Sequence, residues 1–265
     1  MTAVRRRSAR PLVTAVILAA ALSGCGAPDP GPTASVIPSL AVGEIPAPAQ
    51  RAPSPADSAS VGAAADAYAD PSAATVVVNK RRPLDPIDYA PPELVLPEVP
   101  LATDRVNATL RPDAAGAVEE MFAAAANDGV GLTLVSGYRS YSVQVSTYDY
   151  WVTRNGSPED ADNYSARPGF SEHQTGLAFD IGQDDGACTL RTCFSDTQAA
   201  AWAAANAHEF GFILRYPEGR QETTGFLAES WHYRFVGADT STAMRADGVE
   251  TLEEFFGLPD APDYG

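Results

Sequence analysis

Residues 171–181 read SEHQTGLAFDI, and the second half of this segment has the pattern of a half-buried strand. Large apolar residues occupy every second position, and they share one face because successive strand residues point to opposite sides of a sheet. These residues are Leu177, Phe179 and Ile181. The alternation predicts a strand that packs one face on a hydrophobic core.

The other face of this predicted strand carries a carboxylate. Asp180 lies there beside the small Ala178, which leaves room next to the carboxylate. Gly176 precedes the strand and permits a turn that other residues adopt only with strain. Such a turn can fold His173 back over the face that bears Asp180.

A second segment, residues 231–236, reads WHYRFV and has the same two-sided pattern. Its aromatic residues share one face, and His232 and Arg234 share the other. The aromatic residues are Trp231, Tyr233 and Phe235. Two strands would thus each present a metal-ligand residue from a face that lacks large apolar groups.

Two imidazoles and one carboxylate suit zinc, and three protein ligands leave its fourth position for water. The sequence therefore predicts a zinc site formed by His173, Asp180 and His232. Glu229 lies three residues before His232, about 10 Å away in an extended chain and on the opposite face. It must reach the site from a bend, where it can act as a general base on the water.

Each of these residues also has an ordinary structural interpretation when it is taken alone. Asp180 could be an exposed strand residue, His232 a satisfied polar group and Glu229 a solvated loop acid. The two aligned strand patterns and the Glu-x-x-His spacing are improbable together by chance, which favours the metal site. His208, the third of the three histidines, lies in a predicted helix and is expected to have a structural or helix-end role.

Elsewhere the hydrophobic spacing predicts further helices and strands. Helices are expected at residues 113–127, 140–154 and 197–209, the last with Asp196 as N-cap, and a helical turn at 251–256. Strands are expected at 75–79, 132–135, 177–181, 212–215 and 231–236. Because helices and strands do not alternate regularly, the fold class is α+β.

The N-terminal part of the chain predicts export rather than folding. Residues 1–24 combine four arginines with an apolar stretch that is too short to span a bilayer, which takes about 20 residues. Residues 22–25 read LSGC, which resembles a lipobox with Cys25 as the lipidated residue; an ordinary signal peptide with Cys25 incidental is the alternative. Residues 25–74 are rich in Ala, Pro and Ser, which predicts a disordered tether before a domain at 75–265.

Two further cysteines, Cys188 and Cys193, lie close together in sequence. A local disulfide is the simplest explanation for two such cysteines in an exported protein. Zinc binding by the thiolates is the alternative, although a third or fourth cysteine ligand is missing.

The formal charge of −16 excludes sustained nucleic-acid binding, because phosphates are neutralised by a basic surface. The same charge makes an anionic membrane surface an unsuitable partner for the folded part.

The metal-site segments resemble those of the zinc D-alanyl-D-alanine carboxypeptidases of the VanY type, within the LAS peptidase group. The matching pattern is Ser-x-His-x-x-Gly-x-Ala-x-Asp at 171–180, followed by Glu-x-Trp-His-x-Arg at 229–234. Upstream, SGYRS at 136–140, Gln144 and RPG at 167–169 also match. The resemblance covers roughly residues 75–257.

This resemblance implies a role for each matching residue. His173, Asp180 and His232 would bind Zn²⁺, and Glu229 would be the catalytic base. Arg139 would polarise the scissile carbonyl or hold the oxyanion. The substrate would contact Ser171 and Gln144. The implied fold is a single domain with a small, mostly antiparallel sheet packed by helices, like that of the DD-peptidases and hedgehog proteins.

The implied activity is removal of the C-terminal D-Ala from peptidoglycan stem peptides. An L,D-carboxypeptidase, a wall endopeptidase and a non-catalytic, metal-bearing wall-binding lipoprotein are the alternatives. The expected place of action is the bacterial cell envelope, where a lipid on Cys25 would hold a monomer at the outer face of the cytoplasmic membrane.

Overall fold

The computed structural model describes residues 67–265. The expected leader at 1–24, Cys25 and most of the expected tether at 25–74 lie outside the described residues. Among residues 67–265, no helix is both long and apolar enough to span a membrane.

Seven α-helices and four strands make up the described part of the chain. The helices are α1 Pro112–Asn127, α2 Tyr141–Asn155, α3 Pro158–Ala161, α4 Gln198–Asn206, α5 Gln221–Thr224, α6 Ala238–Asp247 and α7 Leu252–Phe256. The strands are β1 Leu132–Ser136, β2 Ala178–Gln183, β3 Phe212–Leu214 and β4 His232–Phe235. Short 3₁₀ turns occur at Arg105–Ala108, Glu172–Thr175, Thr192–Asp196 and Ala207–Phe210.

The four strands form one antiparallel sheet in the order β1-β2-β4-β3. Its central pair, β2 and β4, places Asp180 directly opposite His232 and Ala178 opposite Arg234. The α+β prediction is therefore confirmed, as is the small antiparallel sheet. The register matters for function because it brings two predicted ligand residues side by side.

The apolar face of the sheet packs on the main core, as the alternation in β2 predicts. Phe179 is fully buried, and its ring lies edge-on to Phe212 with ring centroids 5.0 Å apart. Helix α1 adds a stripe of buried residues to the same core: Val118, Met121, Phe122 and Ala125. The other face is left for polar side chains.

The expected helices at 113–127 and 140–154 are present; the first begins one residue earlier than predicted, and the second is displaced by one residue. The third helix differs more from its prediction. Its N-cap is Thr197 rather than Asp196, because the Thr197 hydroxyl accepts a hydrogen bond from the Ala200 amide at 3.1 Å. The α-helical part ends at Asn206 and continues as a 3₁₀ turn.

The expected strand at 75–79 is wrong. Residues 76–79 are buried but do not join the sheet, and the guanidinium of Arg234 binds carbonyl groups of this segment. Arg234 donates to the carbonyl oxygens of Ala74 at 2.9 Å and Val76 at 2.6 Å. The packed region also reaches back before residue 75, since the ring of Tyr68 stacks on Phe256 at 3.9 Å.

We predict that Gly176→Ala lowers the free energy of unfolding by roughly 1–2 kcal/mol, because residue 176 has φ +69° and an L side chain is strained there. A Cβ at this position would also lie 3.1 Å from Leu94. Urea denaturation measures the change. Gly116→Ala is the matched control: its Cβ meets nothing within 4 Å in α1, so stability should rise by about 0.5–1 kcal/mol. Equal effects at both positions would contradict the role assigned to the Gly176 turn.

Candidate metal centre

A groove of about 610 Å³ opens on the polar side of the sheet. Asp180 and the two predicted histidine ligands lie in its wall, together with Glu229 and Arg139. The structure thus brings together five residues from three separate segments of the sequence.

The three predicted ligands converge on one point. His232 Nδ1 lies 3.1 Å from one oxygen of Asp180, and His173 Nε2 lies 3.5 Å from the other. One ligand atom from each residue can be chosen so that all three lie within 4.8 Å of one another. All three side chains are buried at the groove wall, so a divalent cation would compensate the charge of a poorly solvated carboxylate.

The direction of the His173 ring is set by the chain around it. The 3₁₀ turn Glu172–Thr175 ends at Gly176, whose left-handed conformation reverses the chain into β2. His173 Nδ1 donates to the carbonyl oxygen of Gly137 at 2.8 Å, so Nε2 keeps its lone pair toward Asp180. Burial lowers the pKa of His173 to about 3, which leaves the ring neutral and able to bind a metal.

His232 lies among three carboxylates. Although burial favours the neutral ring, the carboxylates of Asp180 and Glu172, which face its two nitrogens, raise the pKa of His232 to about 9. The carboxylate of Glu229 adds to this effect. The surrounding carboxylates therefore favour a positive charge at this end of the groove, and a bound zinc ion would supply that charge.

Glu229 reaches the site from a turn before β4, as the spacing predicts. Its backbone carbonyl accepts from the His232 amide at 3.1 Å, and its own amide donates to Tyr216. The side chain then lies with Oε2 3.8 Å from His232 Nδ1. Burial raises the pKa of Glu229 to about 7, with a contribution from the charge of Asp180, so this carboxyl group can both accept and return a proton.

Arg139 lies at the end of β1 with its guanidinium in the groove wall. Its backbone amide donates to the carbonyl of His173 at 3.1 Å, and its side chain donates to Gln144 at 3.1 Å and to Ser136 at 3.3 Å. Within residues 67–265 it makes no ion pair with a carboxylate, so its charge is available to an anionic group of a ligand.

The other two predicted substrate contacts are placed differently from each other. Ser171 is buried and lines the groove. Gln144 is fully buried, and its amide nitrogen donates to Ser165 and Ala166 while its oxygen accepts from Arg139. Gln144 therefore holds Arg139 in place, and its contact with the substrate stays a prediction.

The predicted disulfide joins Cys188 and Cys193, with their Cα atoms 5.5 Å apart. This excludes zinc binding by their thiolates. The closed loop has a place in the site, because Leu190 and Arg191 lie in the groove wall. His208 lies outside the metal cluster, and its carbonyl oxygen accepts from the Ser241 hydroxyl at 2.7 Å.

Sequence reasoning missed a group of buried charges beneath the cluster. Glu172, Arg215, Arg234 and Glu253 all have fully buried side chains and are joined by ion pairs of 2.7–2.9 Å. Arg234 gave the one available signal, because it shares a strand face with His232. Removing one partner of such a network leaves an uncompensated charge, so the four residues hold β3, β4, α7 and the His173 turn in one arrangement.

Taken together, the groove can bind a small ligand, polarise a carbonyl group beside the cluster and move a proton through Glu229. An amide bond next to a free carboxylate fits this set. The metal and Glu229 would lie at the amide, and Arg139 would supply a fixed cation.

Comparisons with known proteins agree with this geometry. A family model described as VanY, D-alanyl-D-alanine carboxypeptidase, matches residues 107–238. The bifunctional D-Ala-D-Ala dipeptidase and D-Ala-D-Ala carboxypeptidase VanXYC of Enterococcus gallinarum is 37% identical over 184 residues, which cover 68% of this chain and 91% of that protein.

Solved structures are similar as well. That of the LdcB LD-carboxypeptidase is 37% identical, with a TM-score of 0.66, and the match covers 72% of this chain and 88% of that chain. A mutant of the vancomycin resistance D,D-pentapeptidase VanY in complex with Zn(II) is 31% identical, with a TM-score of 0.56 and coverage of 68% and 96%.

We predict that His232→Ala weakens zinc binding by more than about 100-fold. Losing a residue that only hydrogen-bonds to a metal ligand already lowers metal affinity about 10–100-fold, and His232 would be a ligand itself. Competition with a chelating dye measures the affinity. His208→Ala is the matched control, because His208 lies outside the cluster, and it should bind zinc like the wild type. Similar losses in both variants would contradict the assignment of His232 as a ligand.

Proposed function

The chain belongs to the VanY family of D-alanyl-D-alanine carboxypeptidases, and we propose that it removes the C-terminal D-Ala from peptidoglycan stem peptides. One observation supports this proposal above the others: His173, Asp180 and His232 converge in a groove that also contains Glu229 and Arg139. This combination supplies a metal site, a proton acceptor and a cation for a carboxylate or an oxyanion.

His173, Asp180 and His232 would hold the zinc ion. A bound zinc ion would polarise the carbonyl group of the substrate and would lower the pKa of its own water ligand to near 7. Arg139 donates to the carbonyl oxygen as negative charge develops there, or to the terminal carboxylate of the peptide. Both roles need a cation that is already oriented, and the hydrogen bonds to Gln144 and Ser136 provide this.

Glu229 carries the proton. It accepts a proton from the water as the water oxygen bonds to the carbonyl carbon, and it returns that proton to the departing amine as the C–N bond breaks. A carboxyl group whose pKa lies near 7 can do both at neutral pH. The position of Glu229 also argues against the non-catalytic alternative, because a binding protein needs no general base.

An L,D-carboxypeptidase is the second candidate. The likeness to the LdcB LD-carboxypeptidase, at 37% identity, favours it. The two activities use the same metal chemistry, and they differ in the residue that precedes the scissile bond. Side chains of the groove wall beyond the cluster would determine which of the two substrates is accepted. They include Arg191 and the stacked rings of Trp151 and Tyr164, whose centroids are 5.5 Å apart.

Mass spectrometry of products from pentapeptide and tetrapeptide stems tests the proposal and its alternative. We expect zinc-loaded protein to shorten the pentapeptide by one D-Ala and to leave the tetrapeptide intact. Shortening of the tetrapeptide alone would identify an L,D-carboxypeptidase. Cleavage at full rate by metal-free protein would contradict the mechanism.

In the same assay, Glu229→Gln should lower kcat by about 10²–10⁴-fold, because it removes the proton acceptor. The variant should still bind zinc, since Glu229 is not among the three clustered ligands. Glu222→Gln, an exposed change on α5, is the control and should be as active as the wild type. Wild-type activity of the Glu229→Gln variant would show that the base is another group.

We also propose that the protein works as a lipid-anchored monomer at the outer face of the cytoplasmic membrane. The support is the arginine-rich, apolar segment at 1–24 and the LSGC sequence that ends at Cys25. The extended tether expected after Cys25 would let the domain reach the cell wall. Cys25→Ala should move the protein from the membrane fraction to the soluble fraction of fractionated cells, and an unchanged distribution would contradict the anchor.

A further inference from the structure

The ring of His232 lies between two carboxylates that face its two nitrogens. Nδ1 lies 3.1 Å from Asp180 and faces the metal cluster. On the opposite edge, Nε2 lies 3.5 Å from Oε2 of Glu172. Both Nε2 and this Oε2 are buried, and neither has a hydrogen-bond partner of normal length within residues 67–265. The two atoms therefore have only each other to satisfy them in this part of the protein.

Glu172 is held so that only one of its oxygens can face His232. Its Oε1 accepts from Arg215 Nε at 2.9 Å and from Arg234 Nη1 at 2.8 Å. The side chain is fully buried, and these two guanidiniums bind the same oxygen, so the carboxylate is fixed in one orientation. The arginines leave Oε2 directed toward the imidazole.

The tautomer of His232 decides whether it can bind a metal. A neutral imidazole carries one N–H, and only the other nitrogen has a lone pair to donate. Asp180 at 3.1 Å from Nδ1 would favour a proton on Nδ1, which would block that nitrogen. Glu172 favours a proton on Nε2, which frees Nδ1. The tautomer of His173 is set in a similar way by a backbone carbonyl, because its Nδ1 donates to the carbonyl oxygen of Gly137.

We propose that Glu172 is a positioning residue that holds the Nε2 proton of His232 and so keeps Nδ1 available to the metal. This inference rests on the metal site of the proposed function. Carboxylates that bind the second nitrogen of a ligating histidine fix its tautomer and orientation and increase its donor strength. Glu172 immediately precedes His173, so one short turn supplies one metal ligand and orients another.

The competing interpretation is that Glu172 only stabilises the fold through its two arginines. Glu253 separates the two interpretations, because it belongs to the same buried network and makes neither a hydrogen bond nor an ion pair with His232. It accepts from Arg215 at 2.7 Å and 3.0 Å and from Asn79 at 2.9 Å. Both glutamates have fully buried side chains.

The test compares Glu172→Gln with Glu253→Gln in three measurements: thermal unfolding, zinc affinity by chelator competition, and the imidazole ¹⁵N–¹H NMR spectrum of the zinc-loaded protein. We expect both variants to unfold at lower temperature. Only Glu172→Gln should bind zinc about 10–100-fold more weakly, as is typical for loss of such a partner. In this variant the NMR signal of the His232 Nε2 proton should also shift upfield, and the proton should exchange faster with solvent.

The proposal is overturned if both variants lose zinc affinity equally, or if Glu172→Gln keeps the wild-type affinity and spectrum. Should Glu172→Gln fail to fold, the zinc-loaded wild type still decides: His232 must bind zinc through Nδ1 and carry a slowly exchanging proton on Nε2, and binding through Nε2 would overturn the proposal. None of these measurements depends on peptide cleavage. A wild type that binds zinc normally but leaves the pentapeptide intact would refute the proposed activity and leave this inference standing.

Discussion

The site depends on one register in the sheet, the pairing of Asp180 on β2 with His232 on β4. Because side chains alternate along a strand, this pairing puts the carboxylate and the imidazole on the same face and next to each other. A shift of either strand by one residue would turn its ligand into the hydrophobic core. The apolar residues on the opposite face, such as Phe179 and Tyr233, therefore fix the metal site as well as the core.

The third ligand is brought in by local structure rather than by the sheet. Gly176 reverses the chain, so that His173 lies over the same face, and the carbonyl of Gly137 sets the direction of its ring. The buried arginines below the cluster then connect this turn to β3, β4 and α7 through Glu172 and Glu253. Burying four charges is costly by itself. Here the cost is offset by mutual ion pairs, and Glu172 connects the network to His232.

The metal ligands and Glu229 could be predicted from the sequence because their signals are local: a two-residue alternation and a fixed Glu-x-x-His spacing. Arg215 and Glu253 carried no such signal, because each is meaningful only through partners that are distant in the chain. The strand predicted at 75–79 was wrong for the same reason, since strand propensity cannot show that Arg234, distant in the chain, binds the carbonyl of Val76. Helix α6, ADTSTAMRAD, lacks an apolar repeat, and tertiary contacts such as that of Ser241 with the His208 carbonyl hold it in place.

X-ray diffraction from zinc-loaded crystals, measured on both sides of the zinc absorption edge, would locate the metal ion. We predict one strong anomalous peak per chain, within bonding distance of His173 Nε2, an Asp180 oxygen and His232 Nδ1. Zinc–nitrogen and zinc–oxygen distances should be about 2.0–2.2 Å. A peak at any other group of residues, or well-ordered crystals that show these three side chains intact and no peak between them, would contradict it.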